Sequence, residues 1–189
     1  MDHQDQKTFE RDLIALIPHL RAFARSLCGD ATAADDLAQD AVAKAWASRG
    51  SFTMGTNMKA WTFMILRNQF YSDKRRSWRS VGLDQETAER TLVANTNFDS
   101  AIALDDLRQA MMMLPENQRE ALILIGAGGF SYEEAAEVIG VAVGTVKSRV
   151  SRARADLVRI FETGDYERDG LPVHEAMGSM LRALERLAA

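Results

Sequence analysis

Two stretches of the chain concentrate side chains that bind anions. Residues 57–79 carry Lys59, Arg67, Lys74, Arg75, Arg76 and Arg79 against Asp73 alone, a net charge of +5. Residues 144–159 carry Lys147, Arg149, Arg152, Arg154 and Arg159 against Asp156, a net of +4. The whole chain carries −4, so the remainder carries −13. Placement of charge says more about partners than its total. Two basic segments on an acidic body suit two anion-binding surfaces, or else two solvated helix faces. Aromatic rings favour the first choice in 57–79, where Trp61, Phe63, Phe70, Tyr71 and Trp78 interleave with the cations. Unpaired bases stack on aromatic rings, and Lys and Arg attract phosphates. At helical spacing Phe63 and Phe70 are expected in the core, with Trp61 able to lie either way. Of these rings Tyr71 is the one best suited to stack on an unpaired base.

A third stretch, LILIGAGGFSYEEAAEVIG, offers glycines after an apolar run. A dinucleotide-binding turn requires G-x-G-x-x-G after a strand and an acidic residue about 20 positions on. Gly126 and Gly128 fit, but the third position is Ser131 and nothing strand-like follows. The glycines read better as a helix stop, where positive φ is easily reached. Ser131 and Glu134 then form a capping box, and a short helix buries Ala135, Ala136, Val138 and Ile139. Gly140 turns the chain into a second helix. There Val146, Val150, Ala153, Leu157 and Phe161 recur along one face, and Lys147, Ser148, Ser151, Arg152 and Arg154 lie toward the other. A basic, serine-bearing face on the second helix suits a major groove. Arginine binds guanine edges bidentately, and Lys and Ser bind phosphates or base edges. As pattern alone, the same helix pair could be a dimerisation hairpin.

The elements that must position these groups are helical. Of 189 residues, 47% are apolar, 7% aromatic and only three are proline, and the length allows one domain or two small ones. Leu13, Ile17, Leu20 and Ala24 form a stripe in a first helix, with Pro18 expected to kink or divide it. Gly29 and Asp30 stop it. Thr32 is expected to cap a second helix, with Asp35 three residues on. That helix, reaching about residue 47, is expected to bury Leu37, Ala41, Val42, Ala45 and Trp46 and to show Asp36, Gln39, Asp40 and Lys44. A glycine-rich loop and a long helix from Met58 to about Trp78 follow. Residues 81–100 read as a linker with one short helix near 86–92. A new helix near Ala101 brings Ile102, Leu107, Met111 and Leu114 to one side, and Pro115 opens the next. Residues 164–189 are an appendage in which Val173, Met177, Met180, Leu184 and Leu187 recur as an apolar helical stripe.

Other chemistry finds little support. His3, His19 and His174 do not cluster with Cys28 or with carboxylates at metal-ligand spacing, and no nucleophile–base arrangement stands out. No metal, cofactor or enzymatic activity is expected. The lone Cys28 excludes an internal disulfide and suits a core position in a reduced, cytoplasmic setting. No stretch approaches the roughly 18 apolar residues of a membrane span, and MDHQDQKTFERD does not read as a signal peptide.

Taken together, LPENQREALILIGAGGFSYEEAAEVIGVAVGTVKSRVSRARADL resembles domain 4 of bacterial extracytoplasmic-function (ECF) sigma factors. DDLAQDAVAKAW and NMKAWTFMILRNQFYSDKRR resemble their domain 2. The likeness covers nearly all of residues 9–161 in order, and GFSYEEAAEVIG and FTMGTNMKAW are most similar to the general-stress subgroup often called EcfG. It implies an all-α chain of two small domains, domain 2 over 1–80 and domain 4 over 101–163, joined by the flexible linker 81–100, with 164–189 outside the match. The implied function is promoter recognition with core RNA polymerase. By carry-over, Thr145, Lys147, Ser148, Ser151, Arg152 and Arg154 read the −35 element. Asn57, Trp61, Asn68, Tyr71, Lys74 and Arg75 take the −10 element as it opens, with 50–57 as a pocket for a flipped base. Asp36, Gln39, Asp40 and Lys44 dock on the β′ clamp helices, and the β flap is a further polymerase contact. A small anti-sigma factor is an implied partner; a sigma-like decoy that binds such an inhibitor without touching DNA is the alternative. Two positions depart from the family: Ala142 stands where a serine-type cap is usual, so that the cap shifts to Thr145 or DNA phosphate completes the helix end, and Asp40 stands where Glu is common.

Overall fold

A computed structural model describes residues 3–80 and 98–163, with side chains over 4–77 and 106–163. The expected linker helix, the appendage with its stripe, and the side chains of Trp78, Arg79 and Ile102 lie outside the described residues. Seven α-helices and no strand are present among the described residues: α1 (His3–Cys28), α2 (Ala31–Ala47), α3 (Met58–Ser80), α4 (Phe98–Met113), α5 (Glu116–Gly126), α6 (Tyr132–Ile139) and α7 (Val143–Thr163). Contacts divide the chain into two compact units, one built on α1–α3, the other holding α4, α5 and α7.

In the first unit, Pro18 does not divide α1, which runs unbroken to Cys28 and ends at Gly29 with φ +73°. Its buried stripe is Phe9, Leu13, Leu20, Phe23, Ala24 and Leu27. Phe23 stacks on Phe63 of α3 with centroids 4.9 Å apart. Further along α1, Phe9 sits among Trp46, Phe52 and Trp61, at centroid distances of 6.3, 5.7 and 6.1 Å. These rings seat the loop between α2 and α3 on the core. Val42 and Trp46 are half-buried at the edge of this cluster, while Leu37, Ala41 and Ala45 are fully buried as expected.

The expected cap of α2 is corrected. The helix starts at Ala31, so Thr32 already lies inside it; Asp30 is the cap, accepting a hydrogen bond from the Ala33 N–H at 2.8 Å. An aspartate in extended backbone just ahead of the helix satisfies an otherwise orphan N–H. Asp35 is thereby released from the expected capping role. It accepts two hydrogen bonds from Arg21 of α1, at 3.0 and 2.8 Å, and lies 3.6 Å from Arg25. Arginine's planar fork matches a carboxylate in this way, and the pair clamps α1 to α2.

In the second unit, α7 lies against α5 and α4. Ala121, Leu122 and Leu124 of α5 are buried, as are Val146, Val150, Ala153, Ile160 and Phe161 of α7; Ile125 and Leu157 are half-buried. The glycine turn after α5 has two physical reasons. Gly129 adopts φ +62°. A Cβ on Gly128 would lie 2.6 Å from the Leu124 carbonyl oxygen, which itself accepts the Phe130 N–H at 3.1 Å. Close backbone approach, rather than phosphate cradling, calls for glycine here.

The Arg21 fork holds the Asp35 carboxyl below its ordinary value, partly offset by burial. A depressed folded-state value stabilises the protein above the unfolded pKa of about 3.9 and ceases to do so as pH falls through the folded value. Asp35→Asn is therefore expected to lower the melting temperature at neutral pH, with the difference from wild type vanishing in acid. Thermal unfolding followed by circular dichroism across pH 2–7 checks it; a difference that persists at the acid end would contradict the pairing.

Candidate nucleic-acid interface and family membership

The basic face of α7 is built by what lies behind it. Its buried residues recur at three- and four-residue spacing and anchor one side of the helix. Lys147, Ser151, Arg152 and Arg154 are exposed on the remainder, and Thr145 and Ser148 are half-exposed. The Ser148 hydroxyl donates to the Thr145 carbonyl at 2.9 Å, which leaves its oxygen lone pairs outward. Lys147 Nζ lies 5.6 Å from the centroid of the Tyr132 ring on α6, so the helix pair shares a cation–aromatic contact. Arg159 is paired with Asp156 at 2.9 Å. The cations toward the start of α7 carry no ion pair of that length on the same helix.

The helix before it begins as expected. Ser131 Oγ accepts the Glu134 N–H at 3.1 Å, and the Glu134 carboxylate accepts the Ser131 N–H at 2.8 Å. Gly140, at φ +75°, turns the chain. The start of α7 differs from one expectation: the helix begins at Val143, with the Ala142 carbonyl accepting the Thr145 and Val146 N–H groups at 2.9 and 3.3 Å. Thr145 is thus inside the first turn and does not take over the cap. Ala142, in the cap position, has no side-chain acceptor to offer.

The second basic segment lies on α3. At 100° per residue Asn57, Trp61, Asn68, Tyr71 and Arg75 fall in one arc of the helix. Asn57, Asn68, Lys74 and Arg75 are exposed. Asn57 also caps α3, accepting the Ala60 N–H at 3.0 Å. Tyr71 is half-exposed, with the Arg67 guanidinium 4.6 Å from its ring centroid and Phe70 edge-on at 5.2 Å. Phe70, expected in the core, is also only half-buried, with Lys74 Nζ 5.9 Å from its centroid. Trp61 lies inward instead, against Phe9 and against Phe52 at 5.1 Å. Its ring supports the 50–57 loop from below, packed against the Phe9 cluster, to which Tyr71 does not belong.

The acidic face of α2 is likewise outward: Asp36, Gln39, Asp40 and Lys44 are all exposed. Gln39 borders a groove of about 540 Å³ between α1 and α2, lined chiefly by Leu13, Ile14, Ile17, Val42 and Trp46. Lys44 turns the other way and donates to Gln69 of α3 at 3.2 Å. Gln69 was not singled out by sequence; a glutamine at that spacing carries no signal until α2 is placed beside it.

Family models for Sigma-70 region 2 and Sigma-70 region 4 match residues 14–80 and 104–157. The ECF RNA polymerase sigma factor EcfG of Rhodopseudomonas palustris is 49% identical over 146 residues, 77% of this chain and 81% of the relative. The chain belongs to the ECF RNA polymerase sigma factors. SigM of Mycobacterium tuberculosis is 33% identical over 141 residues, 75% of this chain and 70% of the relative. Among solved structures, the sigma factor RpoE of Bartonella quintana, crystallised with the anti-sigma factor NepR, matches with a TM-score of 0.72 and 48% identity. The match covers 82% of this chain and 98% of that one. CnrH in complex with the cytosolic domain of CnrY matches at 0.64 and 25% identity, over 85% and 91%.

For this sigma factor the described residues hold no group of three or more His, Cys, Asp or Glu able to take a metal ion, and no described helix is long and apolar enough to cross a membrane. Burial, together with the nearby Asp30 charge, pushes the Cys28 thiol up to about 11. It stays protonated at neutral pH, which fits a packing role. The caps on either side of the turn at Gly140 can be measured. Ser131→Ala is expected to destabilise the second unit and Ala142→Ser to stabilise it, each by about 1 kcal/mol. Urea unfolding of each variant checks both signs; no gain from Ala142→Ser would mean that the first turn of α7 is already satisfied by another group.

Proposed function

We propose that the chain directs core RNA polymerase to promoters of a general stress regulon, under the control of a small anti-sigma factor. The observation that carries this reading is the exposed Lys147, Ser151, Arg152 and Arg154 face of α7, backed by a fully buried stripe and preceded by a capped α6. This is the arrangement by which a second helix presents side chains to a major groove. On this reading Arg152 and Arg154 contact base edges or phosphates of the −35 duplex. Lys147, Ser148 and Ser151 add polar contacts, and Thr145 with the uncapped first-turn N–H groups receives a phosphate. DNA then supplies the acceptor that Ala142 lacks.

The arc on α3 takes the −10 strand: Asn57, Asn68, Lys74 and Arg75 as polar and phosphate contacts, Tyr71 as a stacking face, and Trp61 as support for the loop that holds a flipped base. Asp36, Gln39, Asp40 and Lys44 dock on the β′ clamp helices, and the β flap meets domain 4. Residues 1–80 and 101–163 are the two working domains, 81–100 the linker and 164–189 an extension. Anti-sigma control rests on RpoE, solved with the anti-sigma factor NepR, and the stress assignment on the relative named EcfG. The protein acts in the cytoplasm and catalyses no reaction of its own. The alternative is a decoy that binds only the inhibitor, and the fold does not separate the two: a PhyR–NepR complex from Sphingomonas matches at TM-score 0.60 and 22% identity. A decoy has no use for an exposed cationic face on α7.

With core polymerase and a stress-type promoter, an Arg152→Ala, Arg154→Ala double variant is expected to lose about tenfold or more of run-off transcript, since each good base contact contributes about 1–3 kcal/mol. Its co-elution with core enzyme should be unchanged. Normal transcription by the variant would reject the assignment of α7, and a wild-type chain that shifts no promoter DNA with core enzyme would favour the decoy.

A further inference from the structure

The basic segment 57–79 holds six cations and one carboxylate, Asp73. Where that carboxylate finds its partner decides how many cations stay open to a polyanion. Counting 100° per residue, Asp73 lies about 160° around α3 from Asn57, on the side away from the arc of Asn57, Asn68, Tyr71 and Arg75. One carboxylate oxygen accepts from Gln69 Nε2 at 2.9 Å. The other is 3.7 Å from Arg76 Nη1, a looser contact. Gln69 Oε1 in turn accepts from Lys44 Nζ of α2 at 3.2 Å. An ammonium only donates and a carboxylate only accepts, so the two neighbours leave the Gln69 amide a single orientation. The result is a polar chain from α2 to α3, ammonium to amide to carboxylate, which holds one Asp73 oxygen and leaves the other in a loose ion pair with Arg76, itself 3.5 Å from Ser72 Oγ.

We propose that Gln69 is a positioning residue for promoter binding: oriented by Lys44, its amide holds one Asp73 oxygen, so that the carboxylate does not close fully on Arg76 and the exposed Arg76 guanidinium can turn to a DNA phosphate. Without the amide, Asp73 closes on Arg76, and its guanidinium is lost to DNA phosphate. Sequence-independent phosphate contacts govern both affinity and its salt dependence, so a lost cation leaves a signature that a packing defect does not. The chain also begins on Lys44, a candidate polymerase contact, which puts the docking face and the basic face of domain 2 in one polar network.

This inference rests on the reading that α3 meets the −10 strand. The test uses holoenzyme reconstituted from core polymerase and the full chain, with a fluorescent promoter duplex pre-melted at the −10 element, titrated over a range of salt. Gln69→Ala is expected to weaken binding several-fold at low salt and to reduce the salt slope by about one counterion contact. Adding Asp73→Asn to Gln69→Ala is expected to restore both, because the competing carboxylate charge is then gone. Thermal unfolding of the same variants separates loss of fold from loss of charge. Unchanged binding by Gln69→Ala, or a loss that Asp73→Asn does not restore, overturns the proposal. If wild-type holoenzyme binds this DNA no better than core enzyme alone, the promoter-binding reading itself fails, and the proposal with it; that outcome is distinguishable because it appears before any substitution is made.

Discussion

A helix can hold cations toward a polyanion only if its opposite side is held in place. In this protein that constraint is met by an apolar stripe behind each basic face. On α7 the stripe is Val146, Val150, Ala153 and Phe161, buried against its unit. On α3 it is Met58, Phe63 and Leu66, packed with α1 and α2. A buried apolar side chain contributes roughly 1.5–3 kcal/mol, whereas an exposed ion pair contributes at most about 1 kcal/mol. The stripes therefore orient the helices, and the charged side chains follow.

The aromatic cluster around Phe9 extends the same logic to a loop. Residues between α2 and α3 have few backbone partners of their own: one short turn at Arg49–Ser51 and the contact from Thr56 N–H to the Thr53 carbonyl. Phe52 supplies what the backbone does not, packing on both Phe9 and Trp61. The loop is thus fastened by one ring while its polar residues stay outward. Trp61 belongs to this fastening, and Arg49 closes over Trp46 at 4.9 Å from its centroid. Rings beside a basic surface can serve by holding that surface in shape.

Helix ends show where local sequence suffices and where it does not. The Ser131–Glu134 box was legible because both partners lie within four residues and each satisfies the other's backbone. Thr32 and Asp35 look much the same in sequence, yet Asp30 caps the helix. Asp35 had a stronger partner in Arg21, fourteen residues away on α1, and two charge-assisted bonds to a guanidinium outweigh one to a backbone N–H. The glycines after α5 form the turn that their spacing predicts. The reason for Gly128, its approach to the Leu124 carbonyl, needed coordinates.

Sequence by itself determined the helical class, the two basic segments, the buried stripes, the turn at Gly140 and the family to which the chain belongs. All but the family, which rests on likeness to known sequences, are properties of composition and of spacing along one helix, and a period of 3.6 residues converts spacing into faces without knowledge of any neighbour. Tertiary structure alone decided which half-apolar residues turn inward and which polar ones find partners. Trp61 lies against Phe9 and Phe52 while Phe70 stays half-exposed, although both sit in one helix among the same cations. Lys44 joins Gln69 and Asp73, although nothing in a stretch of α2 or α3 read alone points to the other. Such outcomes depend on which surfaces meet between helices, and that depends on distances between residues far apart in the chain.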